Sequence, residues 1–199
     1  MDSQKKPKIL LIGDSIRIAY APFVRKNLEN EAEILEIPTN GEHSRKVKKN
    51  LKTWLKKAGA PDISIIHFNC GVHDAKQHYK KTQNYVPLSE YEKNLKKIVE
   101  ILKKYTTAKL IWATTTPVIY ERHSRQKPEY PIGQNLRDYI STAVRIMNTE
   151  GIEINDLYNI IIHNSVEECL SEDGIHMADK GNKILVQTVT EKLRNHLNN

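Results

Sequence analysis

The stretch KILLIGDS, which spans residues 8–15, decides the fold that we expect for this chain. Its four consecutive apolar residues, Ile9–Ile12, are typical of a strand that is buried on both faces of a parallel sheet. Gly13 and Asp14 are turn residues that end such a strand. We expect a helix to follow the turn and to run to about Asn30. The stretch therefore predicts a strand–turn–helix unit of an α/β fold.

Short apolar runs alternate with helical patterns along the rest of the chain. Strands that alternate with helices imply a parallel sheet with helices on both of its faces. At 199 residues the chain has the size of one such domain, which we place at residues 1–199. The further predicted strands are Ile34–Ile37, Ile63–Phe68, Leu110–Thr115 and Ile152–Ile154. The further predicted helices are Lys46–Ala58, Leu88–Tyr105, one marked by Leu136, Ile140, Ala143 and Met147, and a last one marked by Leu185, Val189, Leu193 and Leu197.

The formal net charge of +7 raises the question of a nucleic-acid or anionic-lipid partner. The lysines of the helices predicted at Lys46–Ala58 and Leu88–Tyr105 fall between the apolar residues of each helix, as expected for solvated faces. Trp54 belongs to the apolar stripe of its helix, so no aromatic side chain is displayed there for base stacking. We therefore expect a small-molecule partner and no nucleic acid.

The cysteines and the first residues indicate the compartment. Cys70 and Cys169 are too few for a disulfide framework, which fits a reducing compartment. Met1–Lys8 is polar, and the apolar run that follows it is too short for a secretory signal. No apolar run is long enough to cross a bilayer. We expect a cytoplasmic protein without membrane insertion, unless a leader has been removed, and the sequence predicts no particular oligomeric state.

The motif Asp173-Gly174-Ile175-His176 places an acid and an imidazole close together just before the last helix. A serine hydroxyl becomes a nucleophile when a histidine takes its proton, and a carboxylate holds that imidazole in the right tautomer. Gly174 permits a tight turn that aims both side chains at the sheet edge. Ser15 follows the first strand at the same edge, because the carboxyl ends of parallel strands meet there. Each motif alone is common in surface turns, and Ser15 is also a good helix cap.

Cys70 and His73, with His67 and His78 nearby, offer the donors of a zinc site or of a thiol nucleophile. Residues at the end of a strand alternate between its faces, so His67 and Cys70 should not converge on one ion. A cysteine at the end of an apolar strand is commonly buried and inert. We expect no metal here.

Four motifs resemble, in order and spacing, the SGNH (GDSL) hydrolase family over nearly the whole chain. They are Gly13-Asp14-Ser15-Ile16, Asn40-Gly41, Gly71-Val72-His73-Asp74 and Asp173-Gly174-Ile175-His176. The resemblance implies a flavodoxin-like three-layer α/β/α sandwich with a mostly parallel sheet. It also implies hydrolysis of a carboxylic ester without a metal or an organic cofactor, and hence a small-molecule ester as the partner.

The resemblance implies a role for each matched residue. Ser15 would be the nucleophile, His176 the general base and Asp173 the residue that orients His176. The oxyanion hole would consist of the backbone N–H groups of Ser15 and Gly41 and a side-chain donor from the third motif. The family has an asparagine at the position of His73, and an imidazole N–H can donate in its place. We expect His73 in the oxyanion hole; the alternative is a histidine that shapes the pocket wall.

The segment Tyr120–Gly133 is predicted to be a long loop that overhangs the same edge of the sheet. Its polar and aromatic side chains, Tyr120 and Arg122 among them, suit a polar substrate. The sequence has no long apolar lid segment that would hold a fatty chain. We expect a short acyl group, such as acetyl, on a polar or carbohydrate alcohol. A thioesterase or lysophospholipase of the same family and a binding protein on the same fold are the alternatives.

Overall fold

Strand β1 (Lys8–Ile12) lies in the sheet between β2 (Glu33–Glu36) and β3 (Ile63–Phe68). The computed structural model describes residues 6–77 and 83–197. In this part of the chain β4 (Lys109–Ala113) and β5 (Glu153–Asn155) continue the sheet in the order β2-β1-β3-β4-β5. Every neighbouring pair of these strands is parallel. The predicted parallel sheet is confirmed.

Alternate residues of β1 face opposite layers of helices. The helices are α1 (Ser15–Asn27), α2 (Ser44–Ala58), α3 (Leu88–Tyr105), α4 (Tyr120–Gln126), α5 (Leu136–Thr149), α6 (Leu157–His163), α7 (Val166–Cys169) and α8 (Asp179–Arg194). Leu10 and Ile12 pack with residues of α2, α3 and α5 on one face of the sheet. Ile9 and Leu11 pack with residues of α1, α6 and α8 on the other face. Because successive side chains of a strand point to opposite faces, both layers need apolar residues in β1. The result is the predicted three-layer sandwich.

Several element boundaries differ from the prediction by a few residues. α1 ends at Asn27, β2 begins at Glu33, and β4 ends at Ala113. The last helix ends at Arg194, so Leu197 lies beyond it. Apolar residues also occur in caps and turns, so an apolar pattern alone does not define where the hydrogen-bonded part of an element stops.

The sequence prediction missed two short helices between β5 and α8. In α6, Leu157 and Ile161 are buried one turn apart, and the Asp156 carboxylate caps the helix by accepting the N–H of Asn159 at 3.2 Å. An acid followed by apolar residues at helical spacing is a signal that could have predicted α6. α7 has only 4 residues and is too short to show a periodic pattern.

The prediction of an irregular loop over the whole of Tyr120–Gly133 was wrong in its first half. Residues Tyr120–Gln126 form α4, and the His123 side chain is buried. This segment is rich in charge and has no apolar periodicity, so its sequence alone does not indicate a helix. A tertiary contact holds the start of α4 against the C-terminal motif: the N–H of Ile119 donates to the Gly174 carbonyl at 2.9 Å.

The structure also bears on the cysteines and on membrane insertion. Cys70 and Cys169 are free and buried on opposite sides of the sheet. Within residues 6–77 and 83–197, none of the helices combines the length and the apolar character needed to span a membrane.

Candidate active site

Ser15 lies at the turn between β1 and α1, where the chain leaves the carboxyl edge of the sheet. The buried Asp14 carboxylate caps α1 by accepting the N–H of Ile16 at 3.0 Å. Burial raises the pKa of Asp14, and the hydrogen bond from Ile16 opposes that shift. Asp14 therefore has a structural role: it starts the helix whose first residue is Ser15.

The structure brings Ser15, His176 and Asp173 together. His176 Nε2 lies 2.8 Å from Ser15 Oγ, and His176 Nδ1 lies 2.5 Å from Asp173 Oδ2. A carboxylate can only accept, so Nδ1 carries the proton, and Nε2 is left to accept the proton of the Ser15 hydroxyl. This geometry suits a nucleophile, a general base and an orienting carboxylate.

Three hydrogen bonds hold the second oxygen of Asp173. Asp173 Oδ1 accepts the N–H groups of Ile175 and His176, both at 2.9 Å, and the Ser171 hydroxyl at 2.8 Å. Partial burial raises the pKa of Asp173, but the hydrogen bonds from His176, Ile175 and Ser171 outweigh it and hold that pKa well below its usual range. The carboxylate is therefore ionised at neutral pH and presents its other oxygen to His176.

Gly174 lies in close contact with the start of α4. Its φ of 71° lies in the left-handed region that favours glycine. A Cβ at this position would lie 2.4 Å from the Ile119 carbonyl oxygen and 2.9 Å from Arg122 Cβ. The turn that carries Asp173 and His176 therefore packs directly on the start of α4.

Arg122 and Tyr120, which the sequence suggested as substrate contacts, contact other parts of the protein. The Arg122 guanidinium donates to the carbonyl groups of Leu170 and Glu167 at 3.0 and 3.1 Å and pairs with the Glu167 carboxylate at 2.6 Å. Tyr120 lines a hollow with Tyr158, and none of the triad residues is among the described residues that line it. Arg122 thus has structural contacts, and a role of Tyr120 and Arg122 in binding the substrate stays a prediction.

The buried His123 joins α4 to the triad turn from behind. Its Nδ1 lies 3.3 Å from the Asp173 carbonyl oxygen, and its Nε2 lies 2.8 Å from the Tyr130 carbonyl oxygen. Together with Arg122, His123 makes α4 a support for the backbone that carries Asp173 and His176.

Gly41 lies against the turn that precedes the nucleophile. Its N–H donates to the Gly13 carbonyl at 2.9 Å. A Cβ at Gly41 would lie 2.7 Å from the same oxygen, so only glycine allows this approach. The predicted oxyanion donor therefore lies beside the turn that leads to Ser15. Its N–H, however, already donates a hydrogen bond to the Gly13 carbonyl.

A buried carboxylate ties the third motif to the start of α2. Asp74 accepts the Ser44 N–H at 3.0 Å and also the Ser44 hydroxyl, and Asn94 donates to Ser44 Oγ at 2.9 Å. Burial raises the pKa of Asp74 to about 7, against the opposing hydrogen bonds from Ser44. Because Ser44 begins α2, these bonds fix the segment after Gly41 relative to the turn that contains His73.

His73 is half-buried and lines a pocket of about 440 Å³ beside the second motif. Burial, helped by the nearby charge of Lys76, lowers the pKa of His73 to about 4, so the ring is neutral at neutral pH. A neutral imidazole has one N–H donor. Among the described residues, none accepts a hydrogen bond from this ring. The other residues that line the pocket are Glu42, His43, Lys76, Gln77, Tyr85 and Tyr130.

Cys70 and His67 have separate surroundings. Burial raises the pKa of Cys70 well above its usual value. His67 is buried with its ring nitrogens 3.4 Å from Tyr20 Oη and 3.2 Å from Asn155 Nδ2. The part of the chain that the structure describes contains no group of three or more potential metal ligands, and His78 lies outside that part.

Several known proteins share sequence with this chain, although no family model matches it. A GDSL esterase/lipase of Arabidopsis thaliana is 30% identical over an alignment of 211 positions, gaps included, that covers 94% of this chain and 86% of the plant protein. The chain belongs to the GDSL esterase/lipase family. This esterase is also 23% identical, over 193 residues, to the isoamyl acetate-hydrolyzing esterase 1 homolog of Homo sapiens, with 90% of this chain and 78% of the human protein covered. The predicted resemblance and the prediction of an ester-hydrolysing enzyme are confirmed.

Solved structures share the fold of this GDSL esterase over nearly its whole length. A lipase/acylhydrolase from Enterococcus faecalis superposes with a TM-score of 0.74 at 18% identity, covering 95% of this chain and 96% of that one. A carbohydrate acetylesterase family member from Sinorhizobium meliloti superposes with a TM-score of 0.75 at 14% identity, covering 97% and 100%. An acetyl xylan esterase superposes with a TM-score of 0.74 at 16% identity, covering 94% and 99%. The predicted three-layer α/β/α fold is confirmed.

Sequence reasoning missed the residues that support the turn of Asp173 and His176. Arg122 reaches the Leu170 carbonyl across 48 residues of sequence, and His123 reaches the Asp173 carbonyl across 50. Contacts at such a separation leave no local pattern to read. Asp74 is different, since the acid that ends the third motif could have been predicted to bond the neighbouring loop.

We expect Gly174→Ala to lower both the free energy of unfolding and kcat of this esterase. The added Cβ would lie 2.4 Å from the Ile119 carbonyl oxygen, so the turn that carries Asp173 and His176 must move. A displacement of about 1 Å in a catalytic group can cost on the order of 10²-fold in rate. Denaturant unfolding and kcat on a simple aryl acetate measure the two effects.

Gly151→Ala is the matched control, because Gly151 has a similar φ of 65° and no atom within 4 Å of an added Cβ. It should show only the cost of left-handed backbone, about 1–2 kcal/mol of unfolding free energy, with kcat unchanged. Equal kcat in the two variants would contradict the role assigned to the contact between Gly174 and Ile119.

Proposed function

We propose that this esterase hydrolyses short-chain carboxylic esters through an acyl-Ser15 intermediate. One observation supports the proposal most strongly: His176 Nε2 lies 2.8 Å from Ser15 Oγ while Nδ1 contacts the Asp173 carboxylate. In that geometry the hydroxyl proton has an acceptor in place, and the carboxylate stabilises the imidazolium that forms.

In the first half of the proposed reaction Ser15 Oγ attacks the ester carbonyl carbon, and its proton passes to His176 Nε2. The tetrahedral intermediate collapses, the bond from the carbonyl carbon to the alcohol oxygen breaks, and His176 gives the proton to the leaving oxygen. In the second half a water attacks the acyl carbon and gives its proton to His176. The acid then leaves as that proton returns to Ser15 Oγ.

The oxyanion that forms in each half needs donors close to Ser15. The Ser15 N–H is at the first position of α1, where a helix has no acceptor for it and where its dipole is positive. We propose the neutral ring of His73 as a second donor. The Gly41 N–H would reach the oxyanion only if it broke its hydrogen bond to the Gly13 carbonyl or donated to both oxygens at once.

The proposed substrate has a short acyl group, such as acetyl, on a polar or carbohydrate alcohol. The pocket at His73 supports this, because no aliphatic side chain is among the described residues that line it. The names of two similar proteins point the same way: an isoamyl acetate-hydrolyzing esterase homolog and an acetyl xylan esterase. A long acyl chain would need an extended apolar wall.

Thioesterase or lysophospholipase activity is the alternative within the family. Both activities would use the same three residues, so the geometry of the triad does not favour either. The wall that would receive the acyl group decides between them. The described lining of the pocket at His73 includes two tyrosine rings but no aliphatic side chain, which favours the short-chain ester.

We also propose the cytoplasm as the compartment and a small-molecule ester, not a nucleic acid, as the partner. The two free and buried cysteines support a reducing compartment. The pocket beside His73 has the dimensions of a small-molecule site.

A fluorophosphonate should label Ser15 and no other residue, because only a serine with a base in place reacts. Ser15→Ala should lose the label and nearly all ester turnover, and His176→Ala should lose about as much, since the two residues act as a unit. Ser141→Ala, at an exposed serine of α5, is the control and should keep both. Mass spectrometry of the adduct and kcat/KM give the readouts, and a label elsewhere would contradict the mechanism.

His73→Ala should lower kcat by about 10²–10³ while KM changes little, as for the loss of one oxyanion donor. His73→Asn should restore a large part, because it supplies an amide donor. The pKa of His73 is lowered to about 4, so its ring stays neutral as pH rises from there, and the loss should be the same across the neutral range. A loss below about threefold, far short of a donor's usual effect, would make His73 a wall residue only.

Acetyl esters should exceed long-chain esters in kcat/KM. Each methylene that an apolar pocket accommodates is worth roughly 0.8 kcal/mol, so an acyl groove would appear as a steady rise with chain length. A series of aryl esters from acetyl to decanoyl measures this. A steady rise through octanoyl would favour the lipase or thioesterase alternative.

A further inference from the structure

We propose that Lys76 binds an anionic group of the substrate, so that the preferred ester carries a carboxylate or phosphate near its scissile bond. The inference rests on the proposed function, since it assigns the substrate class of the same site. It depends on the place of Lys76 in the pocket that it shares with His73 and on the charges around it.

The backbone of Lys76 is held in place on both sides. Its carbonyl accepts the N–H of Tyr85 at 2.5 Å, and the N–H of the next residue, Gln77, donates to the Pro131 carbonyl at 2.7 Å. Lys76 also forms an antiparallel bridge with Ile132. The side chain therefore starts from a fixed point on the pocket wall.

Glu42, which lines this pocket, and Arg45, which lies next to it, already have partners. Glu42 pairs with Lys46 at 2.6 Å, and Arg45, whose guanidinium lies 5.7 Å from the centre of the Tyr85 ring, pairs with Glu90 at 2.5 Å. These pairs leave little net charge on that side of the pocket.

Lys76 has no such partner in the part of the chain that the structure describes: no carboxylate lies within ion-pair distance, and no acceptor is bonded to its ammonium group. Burial lowers its pKa, and the more distant carboxylates of Asp14 and Glu42 oppose that shift. A half-buried ammonium without a counter-ion is costly unless a ligand supplies one.

Lys76 lines the same pocket as His73, the side chain that we propose as an oxyanion donor. An anionic group bound by Lys76 would therefore lie on the same side of the site as that donor.

An anion fits this site better than a neutral polyol does. The lysine ammonium is a compact, strongly hydrated point charge. A carboxylate or phosphate compensates for the water that the ammonium loses on binding, and a neutral hydroxyl does so only in part. The exposed rings of Tyr85 and Tyr130 border the pocket and offer a surface for the part of the ligand between the anion and the ester.

Two pairs of esters of equal size test the proposal and show which part of the substrate carries the anion. On the alcohol side the pair is meta-acetoxybenzoate and its neutral amide, meta-acetoxybenzamide. On the acyl side the pair is phenyl hemisuccinate and its neutral terminal amide. The readout is the ratio of kcat/KM for the anionic ester to that for its amide partner. Because each ratio is taken within one enzyme, a loss of folded protein cancels.

In the wild type we expect a ratio of about 10 or more in at least one pair, the range for a hydrogen bond to a charged group. Lys76→Met should lower that ratio to near one, and Lys76→Arg should keep most of it. Lys57→Met removes an exposed positive charge in the last turn of α2, outside the pocket, and should keep the ratio. Added salt should lower the wild-type ratio, because ions screen the contact.

The assignment of Lys76 would be overturned by ratios near one in both wild-type pairs or by a high ratio that survives in Lys76→Met. In either case turnover of the esters that carry the neutral amide would leave the esterase mechanism intact. Turnover by Ser15→Ala equal to that of the wild type would instead overturn the acyl-Ser15 mechanism, and the inference about Lys76 with it.

Discussion

The parallel hydrogen bonding of β1 between β2 and β3 is the constraint on which the rest of this esterase depends. The polar backbone groups of a buried strand must be paired, and parallel pairing requires a crossover after each strand. The turns after β1, β2 and β3 therefore emerge at one edge of the sheet. These turns carry Ser15, Gly41 and His73. The Asp173–His176 turn follows no strand, and it reaches the same edge because α4 supports it from behind.

Three aspartates at these turns accept the same kind of hydrogen bond but have different roles. Asp14, Asp74 and Asp173 each accept a backbone N–H group. Burial prevails at Asp14 and Asp74 and raises the pKa of each, as suits carboxylates that hold loops together. At Asp173 the hydrogen bonds prevail and lower the pKa, so a charged oxygen remains for His176. The balance of burial and donors thus separates structural carboxylates from the one suited to orient a base.

Much of the fold could be predicted, because its signals are local. The apolar run at Ile9–Ile12 predicts a strand buried on both faces, and it is one. The apolar stripes of α2, α3 and α5 likewise predict helices, since each stripe repeats over several turns. The helix α4 could not be predicted, because its start is held by a hydrogen bond from Ile119 to Gly174, which lies far along the chain. The same separation hid the structural contacts of Arg122.

The sequence by itself determined the order of the five strands and of the longer helices α1, α2, α3, α5 and α8, the family, and the three residues expected to form the triad. Short motifs and the spacing of apolar residues indicate those features, because both patterns involve only residues that are close together in the sequence. Only the tertiary structure decided that the Gly41 N–H is bonded to Gly13, that Arg122 binds backbone carbonyls, and that Lys76 shares a pocket with His73. Each of these depends on which distant segments meet and on how the buried polar groups at their contacts are satisfied, and no local pattern encodes that.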